Sequence, residues 1–510
     1  MNHYFANPIY GGQDPFVCKG PDGLYYTVAE EPQSRQLAVF CSNRLTERGE
    51  KHIVFTAPDK GPSSHDLWAP ELWFLRGKWY LYYAGARQEG QEHWDTHRMY
   101  VLEAEGPLGP YGPPVALELG DRMSIDGTVL ELPDGSLYLA YMGRLPEYNA
   151  LFLAPMDSPS HISGEPVMIS KPDFPWEGDI NEGPFPIIRD GKVRLLFAAN
   201  AAHLPDYCLG LLTCRDPGRI LDPESWVKEP EPVLTRWGQI IGPGHACMVK
   251  SPDNTEDWLV YHNKFTREET LPEGWNRVAN LLRVSWDQEG RPVFEKPHAP
   301  GEPVPAPSGE IPPPAGERVN LDFTKDCGRL AEYGYSRSQT FFTESEGYRI
   351  DGTKWPDFGD KALIREAVWS DFTAVLAFRR LSGKGECGLL FRVSLPAAGK
   401  TRWRGYGLLA GENELSLVRC DGNRITALAK APLPGKKRTL TLSVTALGEK
   451  LTVSSGGNIL LEAEDGKYAQ GACGVAAFDS QGLFSSLIVE PALAHVEFGA
   501  YAFTQSVSIS

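Results

Sequence analysis

The stretch Asn181-Glu182-Gly183-Pro184-Phe185-Pro186-Ile187-Ile188, with the turn Asp190-Gly191-Lys192 and the run Val193-Arg194-Leu195-Leu196-Phe197 behind it, decides the fold because its pattern recurs. Gly-Pro after Glu182 is at odds with a helix or a central strand, so Glu182 is predicted to project from the mouth of a loop. Four other stretches repeat this order of polar loop, strand, tight turn and aromatic or aliphatic strand. Asp14-Pro15-Phe16-Val17 leads to the turn Asp22-Gly23 and Leu24-Tyr25-Tyr26-Thr27-Val28. Trp68-Ala69-Pro70-Glu71-Leu72-Trp73 leads to Arg76-Gly77-Lys78 and Trp79-Tyr80-Leu81-Tyr82-Tyr83. Asp126-Gly127-Thr128-Val129-Leu130 leads to Asp134-Gly135-Ser136 and Leu137-Tyr138-Leu139-Ala140-Tyr141. Gly244-His245-Ala246-Cys247-Met248-Val249 leads through Pro252-Asp253-Asn254 to Trp258-Leu259-Val260-Tyr261-His262. The equivalent positions Pro15, Pro70, Thr128, Pro184 and Ala246 fall 55 to 62 residues apart. Five strand-rich units at near-constant spacing predict a five-bladed β-propeller.

Working outward, the propeller is expected over residues 1–295, with Val278 to Val284 and the turn Asp287-Gln288-Glu289-Gly290 completing the last blade. Residues 296–317 are so rich in proline that they read as an extended, semi-rigid linker. Alternating apolar runs resume over 318–510, among them Ala374 to Phe378, Cys387 to Val393 and Leu440 to Val444, and predict a jelly-roll-like β-sandwich. The chain is therefore expected to be all-β. Trp355, Trp369, Trp403 and Tyr406 of the second half are compatible with sugar binding, with a contribution to the active-site rim, or with plain packing.

A chain of 510 residues with a formal net charge of −16 is long enough for two or three cores and would be repelled by nucleic-acid backbones and anionic membranes. A neutral substrate is the easier match. The nine cysteines show no Cys-x-x-Cys spacing, which favours free thiols over disulfides or a zinc site. No apolar run approaches a membrane span, and Met1-Asn2-His3-Tyr4 opens without a leader pattern, so an unexported, cytoplasmic protein is expected.

In a propeller the loops entering the first strand of each blade converge on one end of the central channel. Asp14, Asp126 and Glu182 stand at that point in units one, three and four. Three carboxylates drawn together suggest glycosidic hydrolysis by paired acids, because close like charges push their pKa values apart and leave a base and an acid near neutral pH. His65, Asp66 and Glu71 carry no assignment. Trp68 and Trp73 are candidate sugar platforms, Trp68 the better placed because it lies at the loop.

Asp14-Pro15, Trp68-Ala69-Pro70-Glu71, Ile125-Asp126-Gly127, Asn181-Glu182-Gly183-Pro184 and Gly242-Pro243-Gly244-His245, in that order, resemble the signature series of glycoside hydrolase family 43 over about residues 5 to 295. The resemblance implies an inverting mechanism. Asp14 would be the general base, Glu182 the general acid, and Asp126 the residue that orients Glu182 and raises its pKa, with base and acid about 6.5 to 9.5 Å apart. It further implies that Arg277 pairs with the central acids, and that His245 either orients a water or a structural calcium on the axis or simply packs. Trp68, Arg277 and His245 would meet substrate, and no cofactor would be required. Trp79 to Tyr83, Arg98 to Leu102, Trp176-Glu177 and Tyr207-x-Leu209-Gly210 resemble exo-acting α-L-arabinofuranosidases of the family, and the opening Asn7-Pro8-Ile9-Tyr10-Gly11-Gly12 leans the same way. The second half is similar to the concanavalin-like domains attached to such enzymes. Alternatives are a β-xylosidase, alone or bifunctional, and a non-catalytic carbohydrate-binding protein.

Overall fold

The computed structural model describes residues 3–31, 35–87, 93–264, 276–334, 340–354, 359–434 and 439–492. Each of the five sequence units forms an antiparallel sheet whose strands follow chain order. Their first strands are Phe16–Lys19, His65–Leu75, Ser124–Glu131, Asn181–Arg189 and Ile241–Lys250. Each touches the first strands of the two neighbouring blades, so the five close a ring around the axis. Closure uses a piece that sequence pattern did not reveal. Tyr10–Gly11 pairs antiparallel with Arg277–Trp286 and becomes the outer strand of the fifth blade. Asn7 clamps the join, donating from Nδ2 to Leu281 O (2.8 Å) and accepting the Leu281 N–H at Oδ1 (2.9 Å). A two-residue strand has no periodicity to read.

The prediction that Glu182 projects from the mouth of a loop is corrected by the structure, which places it in an edge strand. Asn181–Arg189 is a continuous strand, with Glu182 opposite Ala198 and a register shift before Phe185. Pro184 is tolerated because this strand is the inner edge of its sheet and the bulge removes the need for its N–H. A left-handed residue at this position recurs in every blade. Asp14 (φ 43°), Ala69 (φ 43°), Asp126 (φ 57°), Gly183 (φ 51°) and His245 (φ 40°) are all left-handed, one per blade. This common backbone state makes Gly127, rather than Thr128, the counterpart of Pro15, Pro70, Pro184 and Ala246. Asp14, Trp68, Asp126, Glu182 and His245, each at the left-handed residue or the one before it, turn toward the channel mouth.

Below the mouth the channel is filled. Phe16, Trp73 and Phe185 lie against one another with ring centroids 5.6 to 6.3 Å apart. Trp73 therefore belongs to the packed channel and not to a sugar platform.

In the second half, Ala374 to Phe378 and Cys387 to Val393 are parts of one strand, Phe372–Ser394, rather than two. It pairs along its length with Ala472–Pro491, and register shifts near Ser382 and Gly383 mark the place where both bend. Bending lets one sheet fold over itself, so that Leu408 and Leu417 from one half share a core with Leu442, Val444 and Leu451 from the other. Trp369 and Tyr406 are buried there and Trp403 in a second, smaller core; Trp355 lies outside the described residues. Packing thus accounts for the three aromatics that are described.

Pro303–Pro305 pairs with Tyr4–Ala6 in a two-stranded sheet, an edge position that proline tolerates. Glu310 accepts the Leu45 N–H (2.8 Å), and Arg365 pairs with Glu50 of the first blade (3.2 Å). These contacts join the proline-rich stretch and the second half to the propeller. All nine cysteines are free thiols. No helix among the described residues is long and apolar enough to cross a membrane.

Candidate active site

Asp14, Trp68, Asp126, Glu182, His245 and Arg277 line a single cavity of about 380 Å³ at the channel mouth. Asp14 is held by a buried cation. Arg277 donates from Nη1 to its Oδ1 (2.6 Å) and from Nη2 to Gln13 Oε1 (2.7 Å). Burial alone would raise the pKa of Asp14, but the Arg277 guanidinium holds it well below the ordinary carboxylate range. Asp14 is therefore ionised throughout the useful pH range. His262 accepts the Asp14 backbone N–H at Nδ1 (3.2 Å), which requires the neutral tautomer. Burial keeps the ring neutral, lowering its pKa to about 3 against the pull of Asp14.

Glu182 is in the opposite condition. Burial pushes its pKa up to about 7, the Asp14 charge adds to the rise, and a hydrogen bond from Tyr207 opposes it. Asp126 accepts the Gly183 N–H at Oδ2 (3.0 Å), which fixes the backbone beside Glu182. Its own pKa lies well above the ordinary value, through burial first and then repulsion from Glu182 and Asp14. The direction for both members of this pair is upward, and their repulsion belongs to the pair rather than to either residue. Asn181, buried next to Glu182, is anchored by Glu177, which accepts from its Nδ2 (2.8 Å) and from Lys228 Nζ (2.6 Å).

Trp68 stacks on His97 (centroids 3.9 Å, 25°) and meets Trp94 edge-on (5.7 Å). With one face backed in this way, it presents a braced apolar wall to the cavity. Trp94 and His203, from the two loops flanking the mouth, also line it. His65 and Asp66 pair with each other (2.9 Å) and do not line the cavity. His245 Nδ1 lies 3.3 Å from Asp14 Oδ1. Among the described residues no three His, Cys, Asp or Glu side chains are arranged to hold a metal ion. One carboxylate oxygen already paired with Arg277, beside two imidazoles, does not fit calcium, which takes six to eight oxygens.

Sequence reasoning missed Tyr207, Lys264 and His262 as parts of the site. Tyr207 donates to Glu182 Oε1 (2.8 Å), its ring lies parallel to His262 (5.4 Å, 1°), and Lys264 Nζ sits 5.3 Å from its centroid. They come from the second and third strands of neighbouring blades. No local motif signals that convergence.

Glu71 is buried behind the carboxylates and accepts from Trp73 Nε1 (2.8 Å). Burial raises its pKa to about 8, so it is protonated in the fold at neutral pH. An unfolded Glu ionises near 4.5, so stability falls as pH rises from there toward 8 and levels beyond. Glu71→Gln, an isostere of the protonated acid, is expected to flatten that decline and to gain about 2–4 kcal/mol over the parent at pH 8.5. Thermal melts of both proteins at pH 5 and pH 8.5 check this; parallel pH dependences would show that Glu71 is not protonated.

Residues 5–292 match the family described as Glycosyl hydrolases family 43. The chain is 32% identical over 332 residues to Alpha-L-arabinofuranosidase 43 of Humicola insolens, covering 61% of this chain and 65% of that protein. It is 34% identical over 321 residues to an Extracellular exo-alpha-(1->5)-L-arabinofuranosidase of Streptomyces avermitilis, covering 58% and 64%. The chain thus spans slightly under two thirds of the length of these curated relatives. A solved α-L-arabinofuranosidase from Lactobacillus brevis superposes with a TM-score of 0.54 at 28% identity, covering 58% of this chain and 97% of that one. With the match extending over the whole ring of blades and the cavity at its mouth, the chain belongs to glycosyl hydrolases family 43.

Proposed function

We propose that the protein is an inverting, exo-acting α-L-arabinofuranosidase that releases arabinose from arabino-oligosaccharides or arabinoxylan fragments. The observation that carries the reading is the meeting, in one cavity, of a carboxylate bound by the Arg277 guanidinium with a second carboxyl that accepts from the Tyr207 hydroxyl. Asp14, kept charged by Arg277, takes a proton from water as that water attacks the anomeric carbon. Glu182, protonated below about pH 7, gives its proton to the departing glycosidic oxygen. Asp126 holds the Gly183 amide and thereby the backbone that carries Glu182. Two carboxyls acting from opposite sides of the sugar invert the anomeric centre. The names of the two relatives, one of them an exo-arabinofuranosidase, support arabinose as the sugar released.

Proton NMR of a digest of linear α-1,5-arabino-oligosaccharide, followed from the first minutes with xylobiose in parallel, tests the proposal. Arabinose is expected to appear first as the β-anomer, with xylobiose untouched. Initial α-arabinose would remove the inverting assignment. Xylose in place of arabinose would make the enzyme a β-xylosidase, and no release from either would favour a binding protein.

A further inference from the structure

Glu182 meets charged and titratable groups from several elements. Asp14 and Asp126 act on it from the first and third blades, Arg277 and Lys264 from the fifth, and Tyr207 from the strand region beside its own. His245 packs so closely against the neighbouring Gly183 that a Cβ at that glycine would lie 3.0 Å from the imidazole ring. Among these groups it is Tyr207 that donates a side-chain hydrogen bond to the Glu182 carboxyl. The Tyr207 ring packs on two groups of one strand, the parallel His262 and Lys264. Both supports are themselves anchored. His262 accepts the Asp14 N–H, and Lys264 donates to Leu204 O (2.7 Å) in the loop next to His203 of the cavity wall.

Resting on the reading of Glu182 as proton donor, we propose that Tyr207, braced by His262 and Lys264, is a positioning residue that aims the Glu182 carboxyl through its hydroxyl and ties it mechanically to the Asp14 backbone. Burial and three nearby carboxylates keep the Tyr207 phenol protonated far into the alkaline range, so it serves only as a donor here. A donor to a carboxyl favours its charged form and lowers its pKa. Tyr207 thus offsets part of the rise that burial imposes on Glu182, and leaves the acid weak enough to be protonated yet strong enough to release its proton. Lys264, whose own pKa burial lowers to about 7, acts on Glu182 in the same direction when charged.

Tyr207→Phe removes the hydroxyl and keeps the ring, its stack and its contact with Lys264, so the test is selective. The basic limb of the kcat/KM profile is expected to move up by about one pH unit. kcat on an α-1,5-arabino-oligosaccharide is expected to fall about 10-fold or more, with KM little changed. On 4-nitrophenyl α-L-arabinofuranoside, whose leaving group needs no proton, kcat should fall by less than about threefold. An unmoved basic limb with equal losses on both substrates would overturn the proposal. Carbon-13 titration of labelled Glu carboxyls, with the Glu182 signal assigned by its loss in Glu182→Gln, reads the same interaction without turnover. In Tyr207→Phe the signal should titrate about one unit higher; an unchanged midpoint would overturn the proposal even if the parent released no sugar. Lys264→Met should move the midpoint in the same direction, and it serves as the second variant if Tyr207→Phe does not fold.

Discussion

Glu182→Gln is expected to lower turnover on an arabino-oligosaccharide by about 10² to 10⁴ while leaving KM nearly unchanged. Gln occupies the same volume, its carbonyl can still accept from Tyr207, and the Gly183 N–H still reaches Asp126. What disappears is the proton. An alkoxide leaving from a sugar is a poor leaving group, so its protonation in the transition state carries much of the rate. A nitrophenolate leaves unaided, so the loss on 4-nitrophenyl α-L-arabinofuranoside should be much smaller. The ratio of the two losses separates a missing proton from a damaged site. Steady-state kinetics on both substrates decide the matter, and undiminished turnover on the oligosaccharide would remove Glu182 from the donor role.

Arg277→Met is expected to be nearly as damaging, through Asp14. In the parent, the depressed pKa of Asp14 contributes stability that is present above the unfolded value near 3.8 and lost as pH falls through the folded one. Without the guanidinium, burial becomes the dominant influence and pushes the carboxyl upward instead. The sign then reverses, and the variant is expected to lose stability as pH rises. At neutral pH an uncompensated buried carboxylate costs about 3–5 kcal/mol. The base would be protonated over much of the range where the parent works, so the acidic limb of kcat/KM should move up by several pH units. At pH 5 we expect activity to fall about 10²-fold or more. Arg277→Lys keeps the charge but loses the fork that also engages Gln13 Oε1, and should recover part of the activity. Rate profiles from pH 4 to 9, with melting temperatures at the same points, check the argument. An acidic limb that stays in place in Arg277→Met would mean that Asp14 does not depend on this cation.

Much of the architecture was legible because propeller blades are local. A strand, a Gly turn and a second strand occupy consecutive residues, so five copies announce themselves through spacing and β-pattern. The carboxylates were legible for the same reason, since Asp14, Asp126 and Glu182 each occur at the repeat's loop position. The bulged, left-handed backbone at that position was not. It appears at Ala69 and His245 as well as at Gly183, and nothing in the preferences of Ala announces it. Because of it, Glu182 lies within a strand, one residue before the left-handed position that Asp14 and Asp126 occupy.

The electrostatic division between the acids was only half legible. Proximity of like charges predicts that pKa values separate, but which carboxyl stays charged depends on the partner that reaches it. Arg277 reaches Asp14 from 263 positions along the chain, and Tyr207 reaches Glu182 from 25. Glu71 carried no assigned role, yet burial in the channel makes it a protonated acid. Trp73 resembled Trp68 in sequence and lies in the packed channel because strand alternation and ring closure turn it there.

Local pattern alone established the all-β class, the five units, the proline-rich stretch, the second strand-rich half and the three carboxylates, since each depends on neighbours a few residues apart. Tertiary structure decided which blade the N-terminus completes, which cation meets which carboxylate and which tyrosine aims the acid. Those depend on contacts across the ring, where burial multiplies small differences in distance into differences of several pKa units, and no short stretch of sequence carries that information.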